Sequence, residues 1–176
     1  MSTGFKSTRK GVAIKLDPGE ASILRSLVSE VLGLVEPGAT GDDPLERALG
    51  IGAANEEQHD DPVIARLFPA AYTDDDEAAA EFRRYTEATL RDAKRADAQT
   101  LLETAGPGQV ELSTDQAQAW LRSLNDVRLA LGIRLEVTEE IHDEIESMSE
   151  EDPRYPAFVT YDWLTYLQDT LVRALW

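Results

Sequence analysis

Two glutamate–histidine pairs in the sequence have the spacing of metal ligands. Glu56 stands three residues before His59, and Glu139 stands three residues before His142. On a helix this spacing places both side chains on one face, as in bundles that hold two carboxylate-bridged metal ions. Both histidines of the chain belong to such pairs, but acids make up 34 of 176 residues, so the spacing arises easily by chance. A metal-dependent enzyme built on these four residues is therefore the alternative hypothesis.

A second group of polar residues lies in Leu124–Leu135, a segment that is otherwise apolar on most sides. Asn125 and Arg128 are three residues apart and share a helix face. We expect both at a buried boundary, where a charge needs a partner. The predicted partner is Asp162 on the last helix.

Arg122 and Asp126 are four residues apart and are predicted to form an outward-facing pair. The polar group as a whole has two interpretations. It is an internal clamp that fixes helix register, since buried charges are usually satisfied within the protein, or it is a binding site for a protein partner. The residues assigned to it are Arg83, Asn125, Asp126, Arg128, Arg134 and Asp162.

Catalytic signatures are scarce in this sequence. None of the patterns GxxxxGK[ST], GxGxxG and GxSxG occurs, and the absence of cysteine excludes disulfides, thiolate chemistry and all-cysteine metal sites. A serine triad would need a histidine held in a folded pocket, and neither histidine lies in a segment that looks buried. We expect a protein without a cofactor that is not an enzyme.

The net charge of −17 argues against binding to nucleic acid, because an acidic body repels phosphate backbones. Residues 1–16 are the exception, since they carry four cations and no acid. Residues 1–11 are predicted to form either a basic arm, which could bind phosphate or an acidic protein, or an edge strand that lysines protect against aggregation. The cations are Lys6, Arg9, Lys10 and Lys15.

The pattern along the chain predicts a mainly α fold: a helical bundle with a small antiparallel β ribbon. Val12–Leu16 and Val110–Leu112 alternate apolar and polar residues, which is typical of strands, and Phe5–Ser7 is expected to pair with the first of them. A helix cap follows each of the two strands, at Asp17 and at Ser113. This recurrence suggests that the two strands lie side by side.

Apolar stripes predict helices after these caps and further along the chain. No apolar run approaches the roughly 18 residues needed to span a membrane. At 176 residues the chain is expected to fold as one domain, 1–176. The predicted helices cover approximately 18–35, 45–49, 63–68, 77–102, 115–135, 139–148 and 157–176.

Three sequence motifs are similar to an actinobacterial family, formerly of unknown function, that includes the AosR-type oxidative-stress regulators. The motifs are RLFPAAY with EFRRYTEATLR, WLRSLNDVRLALGIRL, and YDWLTYLQDTLVRAL. The resemblance implies a helical cytoplasmic protein that acts through another protein, with a stress sigma factor or RNA polymerase as the implied partner. It also implies a cysteine pair as a redox switch, which this chain cannot have because it contains no cysteine.

The sequence therefore favours a non-enzymatic transcription regulator that works through protein–protein interaction. A proteolysis adaptor or another acidic interaction module fits the same observations. A homodimer is a further expectation, because Trp176 at the C-terminus suggests docking against a core or a second chain.

Overall fold

The computed structural model describes residues 2–35, 61–69 and 76–176, which are mainly α-helical with one three-stranded antiparallel sheet. This confirms the predicted fold class. The strands are β1 (Lys6–Thr8), β2 (Gly11–Leu16) and β3 (Gly108–Ser113), in the order β1-β2-β3. The helices are α1 (Pro18–Val35), α2 (Pro62–Leu67), α3 (Asp76–Thr104), α4 (Thr114–Arg134), α5 (Ile141–Ser147) and α6 (Tyr155–Leu175).

The sheet joins two distant parts of the chain. β2 pairs antiparallel with β3, with Val12 opposite Leu112 and Ile14 opposite Val110, so the two predicted strands do lie side by side. Gly11 begins β2 because the strands approach closely there: a Cβ at this position would lie 2.0 Å from the carbonyl oxygen of Leu112. Any side chain at position 11 would force the two strands apart.

Both predicted helix caps are present and use the same geometry. Asp17 accepts a hydrogen bond from the amide of Glu20 at 2.8 Å, while Glu20 accepts one from the amide of Asp17 at 2.9 Å. Ser113 and Gln116 repeat this exchange at the start of α4. Each reciprocal pair satisfies amide groups that the first turn of a helix leaves without partners.

The core is centred on α4, which packs against α1, α2, α3 and α6. Trp120 on α4 is fully buried; its indole N–H donates to Thr104 Oγ1 at 2.7 Å, and its ring meets Phe5 edge-on at 5.8 Å. Leucines from four helices complete this core without exposure to solvent: Leu24, Leu101, Leu124, Leu164, Leu167 and Leu171. No helix of the described residues is long and apolar enough to cross a membrane.

One predicted helix differs from the structure in its bounds, and another lies outside the described residues. The acidic helix was predicted to begin within Val137–Glu140, but α5 begins at Ile141 and Glu139 lies in the preceding turn. The predicted helix over 45–49 lies outside the described residues, as do Glu56 and His59.

Candidate functional site

α4 carries most of the predicted polar group, but its side chains pair with three different neighbouring helices, α1, α3 and α6. Asn125 and Arg128 are both half-buried, which confirms the predicted boundary position. Asp126, in contrast, is only 7% exposed and points into the protein. The residues therefore do not form one cluster, and Asn125, Asp126 and Arg134 each contact a different helix.

Asp126 forms an ion pair with Lys94 on α3 rather than with Arg122. The Lys94 Nζ lies 2.7 Å from Asp126 Oδ1, and the two side chains are 15% and 10% exposed. Burial raises the pKa of Asp126, and the hydrogen bond and charge of Lys94 oppose that rise. The predicted outward pair of Asp126 with Arg122 is therefore wrong, because a lysine on a packed neighbouring helix satisfies the carboxylate better than an exposed residue on the same helix.

Arg122 makes its own contact with α3. Its Nε and Nη2 donate to the two carboxylate oxygens of Asp97 at 2.8 and 2.9 Å, a bidentate arrangement. The hydrogen bonds that Arg122 donates to Asp97 raise the pKa of Arg122 above its usual value. Lys94 and Asp97, three residues apart on α3, thus bind Asp126 and Arg122, four residues apart on α4, and the two pairs fix the register of these helices.

A third polar contact on α3 was missed by the sequence reasoning. Arg91 donates to Glu87 Oε1 at 2.7 Å and to the carbonyl oxygen of Val35, the last residue of α1, at 2.7 Å. The guanidinium also lies 4.8 Å from the ring centre of Phe68. Arg91 is only 7% exposed and Glu87 only 3%. The signal was the i, i+4 spacing of Glu87 and Arg91 within the motif EFRRYTEATLR.

Asn125 bonds to α6 instead of to Arg128. Its Oδ1 accepts a hydrogen bond from Gln168 Nε2 at 3.3 Å. Two turns further along α4, a Cβ on Gly132 would lie 3.1 Å from the ring of Tyr161. The pairs 125–168 and 132–161 show that α4 and α6 run antiparallel in direct contact.

Arg128 lies between these two contacts and has no hydrogen bond or ion pair with any residue that the structure describes. Its Nε is buried without a partner, as is Oε1 of Gln168. The predicted partner Asp162 lies against His142 instead, with 3.2 Å between Oδ1 of Asp162 and Nδ1 of His142, so the predicted Arg128–Asp162 pair is wrong. The reason is that α5 packs against α6 and brings His142 to the aspartate.

The remaining predicted site residues lie apart from this group. Arg134 forms an exposed pair with Glu30 on α1 at 3.5 Å. Arg83 belongs to α3, and its side chain is outside the described part of the chain. The four N-terminal cations are exposed and lie on β1, on β2 and in the turn between them: Lys6, Arg9, Lys10 and Lys15.

A strip of half-buried and exposed side chains, both apolar and polar, runs along the contact between α4 and α6. Gln168, Val172 and Trp176 follow each other at four-residue spacing and share one face at the end of α6. Val172 is 40% exposed and Trp176 is 82% exposed. We call this surface the α4–α6 strip; it consists of Leu121, Asn125, Arg128, Gln168, Val172 and Trp176.

The proposed metal ligands do not come together in the part of the chain that the structure describes. No three histidine or acidic side chains of the described residues are close enough to hold a metal ion. Glu139 precedes α5 while His142 lies in its first turn, so this pair lacks the shared helix face that the ligand spacing required. The other pair, Glu56 and His59, lies outside the described residues.

The charged side chains of α4 mainly join neighbouring helices. Most of the charged side chains that α4 presents are paired, and these pairs hold helices together. The α4–α6 strip is different, since it combines exposed apolar surface with a guanidinium that none of the described residues binds. Tryptophan and arginine are the residues most enriched at the energetic centres of protein interfaces.

The fold and these contacts define a mainly helical protein with a small antiparallel sheet and ion-paired helix contacts. The chain belongs to the family described as "Domain of unknown function (DUF2017)", which matches residues 2–175. No solved structure is significantly similar to the chain.

Curated relatives of this chain are named AosR, an oxidative stress regulator of mycobacteria. The Mycobacterium leprae protein is 37% identical over 90% of this chain and 79% of its own length. The Mycobacterium tuberculosis and Mycobacterium bovis proteins are each 35% identical over 96% of this chain and 84% of their own length. The resemblance found in the sequence motifs is thereby confirmed.

Proposed function

We propose that the chain is a non-enzymatic regulator of the oxidative-stress response that acts by binding a protein of the transcription machinery. The observation that carries this proposal is the name shared by relatives 35% to 37% identical over most of the chain, each an oxidative stress regulator. A stress sigma factor or RNA polymerase is the proposed partner, which places the protein in the cytoplasm.

The charge of the chain supports a partner of this kind. A net charge of −17 attracts proteins that present basic surfaces, and proteins that bind DNA present such surfaces. The same charge disfavours direct binding of DNA by the chain itself. Electrostatic attraction of this type accelerates association more than it strengthens the final complex, so it needs a specific contact surface in addition.

The lack of cysteine determines how an oxidant could act on this regulator. With no thiol in the chain, peroxide cannot create a disulfide or a sulfenic acid in it. We therefore propose that the oxidative signal changes the partner or the amount of the regulator, and that the affinity of the purified chain for its partner is the same before and after peroxide treatment.

A tagged pull-down from the native cell tests the proposal, with and without peroxide, read by quantitative mass spectrometry. We expect a sigma factor or RNA polymerase subunits to be enriched under both conditions when normalised to the captured chain. A pull-down without any component of the transcription machinery would contradict the proposed function. A second pull-down uses an untreated lysate and the purified tagged chain, and capture that requires prior peroxide treatment of that chain would contradict the proposed route of the signal.

A further inference from the structure

The α4–α6 strip has two properties that an internal helix contact does not require. Trp176 is 82% exposed and Val172 is 40% exposed, so large apolar side chains face solvent at one end of the strip. Arg128 has no hydrogen bond or ion pair within the described residues. Arg128 and the two exposed apolar residues lie on the two antiparallel helices that the Asn125–Gln168 hydrogen bond joins.

The unpaired arginine is costly to the isolated chain. Guanidinium N–H groups are strong donors, and a buried donor without an acceptor costs about 1–3 kcal/mol in stability. Since Nε of Arg128 is buried, the side chain lies down in the strip and does not extend freely into solvent. A partner cannot reach the buried Nε, but an acceptor that it supplies to the other guanidinium N–H groups would form a charge-assisted hydrogen bond on binding.

The strip is suited to contact with a second copy of the chain or with a different protein, and the net charge of the chain distinguishes between these two. A second copy would bring two bodies of −17 together, and like charge of this size opposes association. A basic protein is attracted by the same charge. Within the strip itself Arg128 carries the single charge, so the contact is an apolar one with a hydrogen-bonding centre, which matches the composition of interface centres.

We propose that the α4–α6 strip is the surface on which the chain binds a basic protein partner. The partner places an apolar side chain against Val172 and Trp176 and a hydrogen-bond acceptor on Arg128. This inference rests on the proposed function, because it assigns the surface through which that function is carried out.

Photo-crosslinking in the native cell tests the strip directly. The full-length chain carries benzoylphenylalanine at position 172, and a matched control carries it at position 23. Ile23 is 43% exposed and lies on α1, beside a groove of about 320 Å³ that no charged side chain lines. We expect an adduct with one basic protein from position 172 and none with that protein from position 23.

A second arginine provides the control for Arg128. Nε of Arg95 is also buried without a partner in the described part of the chain, but Arg95 lies on α3, outside the strip. Arg128→Ala should lower the yield of the adduct at least about tenfold, as expected for a central interface residue. Arg95→Ala should leave the yield within about twofold. If Arg128→Ala fails to fold, Trp176→Ala takes its place, since a terminal side chain that is 82% exposed contributes little to folding.

Each outcome decides one of the two claims. An adduct with a second copy of the chain, an adduct from position 23 instead of 172, or a yield insensitive to Arg128→Ala overturns the assignment of the strip. A basic partner from outside the transcription machinery supports the strip and contradicts the proposed function. Copurification of RNA polymerase without any adduct at position 172 supports the function and contradicts the strip.

Discussion

Lys94 on α3 and Asp126 on α4 form a largely buried ion pair, with 2.7 Å between Nζ and Oδ1. The pair lies one turn from the bidentate contact of Asp97 with Arg122, so the two helices are joined at successive turns. Because removing one member of a buried pair leaves the other charge uncompensated, this contact is central to the stability of the fold.

Lys94→Ala should destabilise the chain by about 3 kcal/mol, since it leaves the buried carboxylate of Asp126 without a partner. Arg134→Ala is the control, because Arg134 and Glu30 form a pair whose side chains are 52% and 61% exposed, and exposed pairs contribute about 1 kcal/mol or less. Urea denaturation monitored by circular dichroism measures both. Equal losses for the two variants would show that burial does not determine the strength of these pairs.

The raised pKa of Asp126 predicts how stability depends on pH. The folded chain holds this proton more tightly than the unfolded chain, where the pKa is near 3.8. The contribution of Asp126 to stability is therefore present in full below pH 3.8 and is lost as the pH rises through the raised pKa. The free energy of unfolding of the wild type, measured relative to Asp126→Asn, should fall over that interval. A relative stability that rises with pH there would show that Lys94 outweighs burial.

Much of the fold could be predicted from local signals. Asp17 with Glu20 and Ser113 with Gln116 predicted both helix starts, because a capping box is complete within four residues. The alternation in β2 and β3 predicted the strands, and the caps that follow them suggested their pairing. These features depend on residues close in sequence, which is why no knowledge of the packing was needed.

The polar pairings could not be predicted in the same way. Asp126 lies four residues from Arg122, so a local rule joins them, but packing of α3 against α4 brings Lys94 to the carboxylate instead. Asp162 contacts His142 rather than Arg128. His142 belongs to a helix whose start the sequence predicted only approximately. Partners on other helices depend on crossing angle and register, and these follow from the whole core.

α4 and α6 approach each other closely at Gly132. The effects of substituting Gly132 and Tyr161 on the free energy of unfolding should therefore not be additive. A Cβ there would lie 3.1 Å from the Tyr161 ring, which is tighter than ordinary packing. In a Tyr161→Ala background, Gly132→Ala should raise the free energy of unfolding by about 1 kcal/mol, because alanine favours the helix more than glycine does. In the wild type the same substitution should raise it by less. Thermal unfolding of the four chains of this cycle measures the difference. Equal gains in both backgrounds would show that Tyr161 does not limit the approach.

Attraction by the acidic body predicts a strong effect of salt on the rate of partner binding. Charges on separate proteins are screened over about 10 Å at 0.1 M ionic strength. We expect the association rate constant to fall about tenfold or more between 20 mM and 500 mM sodium chloride, while the dissociation rate changes less. Stopped-flow fluorescence measures both rates. An association rate independent of salt would remove the role proposed for the charge of −17.

The metal hypothesis makes an opposite prediction that elemental analysis tests. If Glu56, His59, Glu139 and His142 held a metal centre, protein purified without chelator would contain iron, manganese or zinc in near-stoichiometric amount. We expect each metal at well below one ion per chain. Glu139→Gln is the control, since any metal that remains bound in this variant belongs to a different site.

Direct binding of purified RNA polymerase holoenzyme from the native organism tests the central claim most directly. Fluorescence anisotropy of the labelled full-length chain follows the titration, with and without prior treatment of the chain by peroxide. The proposed function predicts saturable binding with the same affinity in both cases, because the chain has no thiol to oxidise. An anisotropy that stays unchanged, with holoenzymes carrying the principal and the stress sigma factors alike, would contradict it.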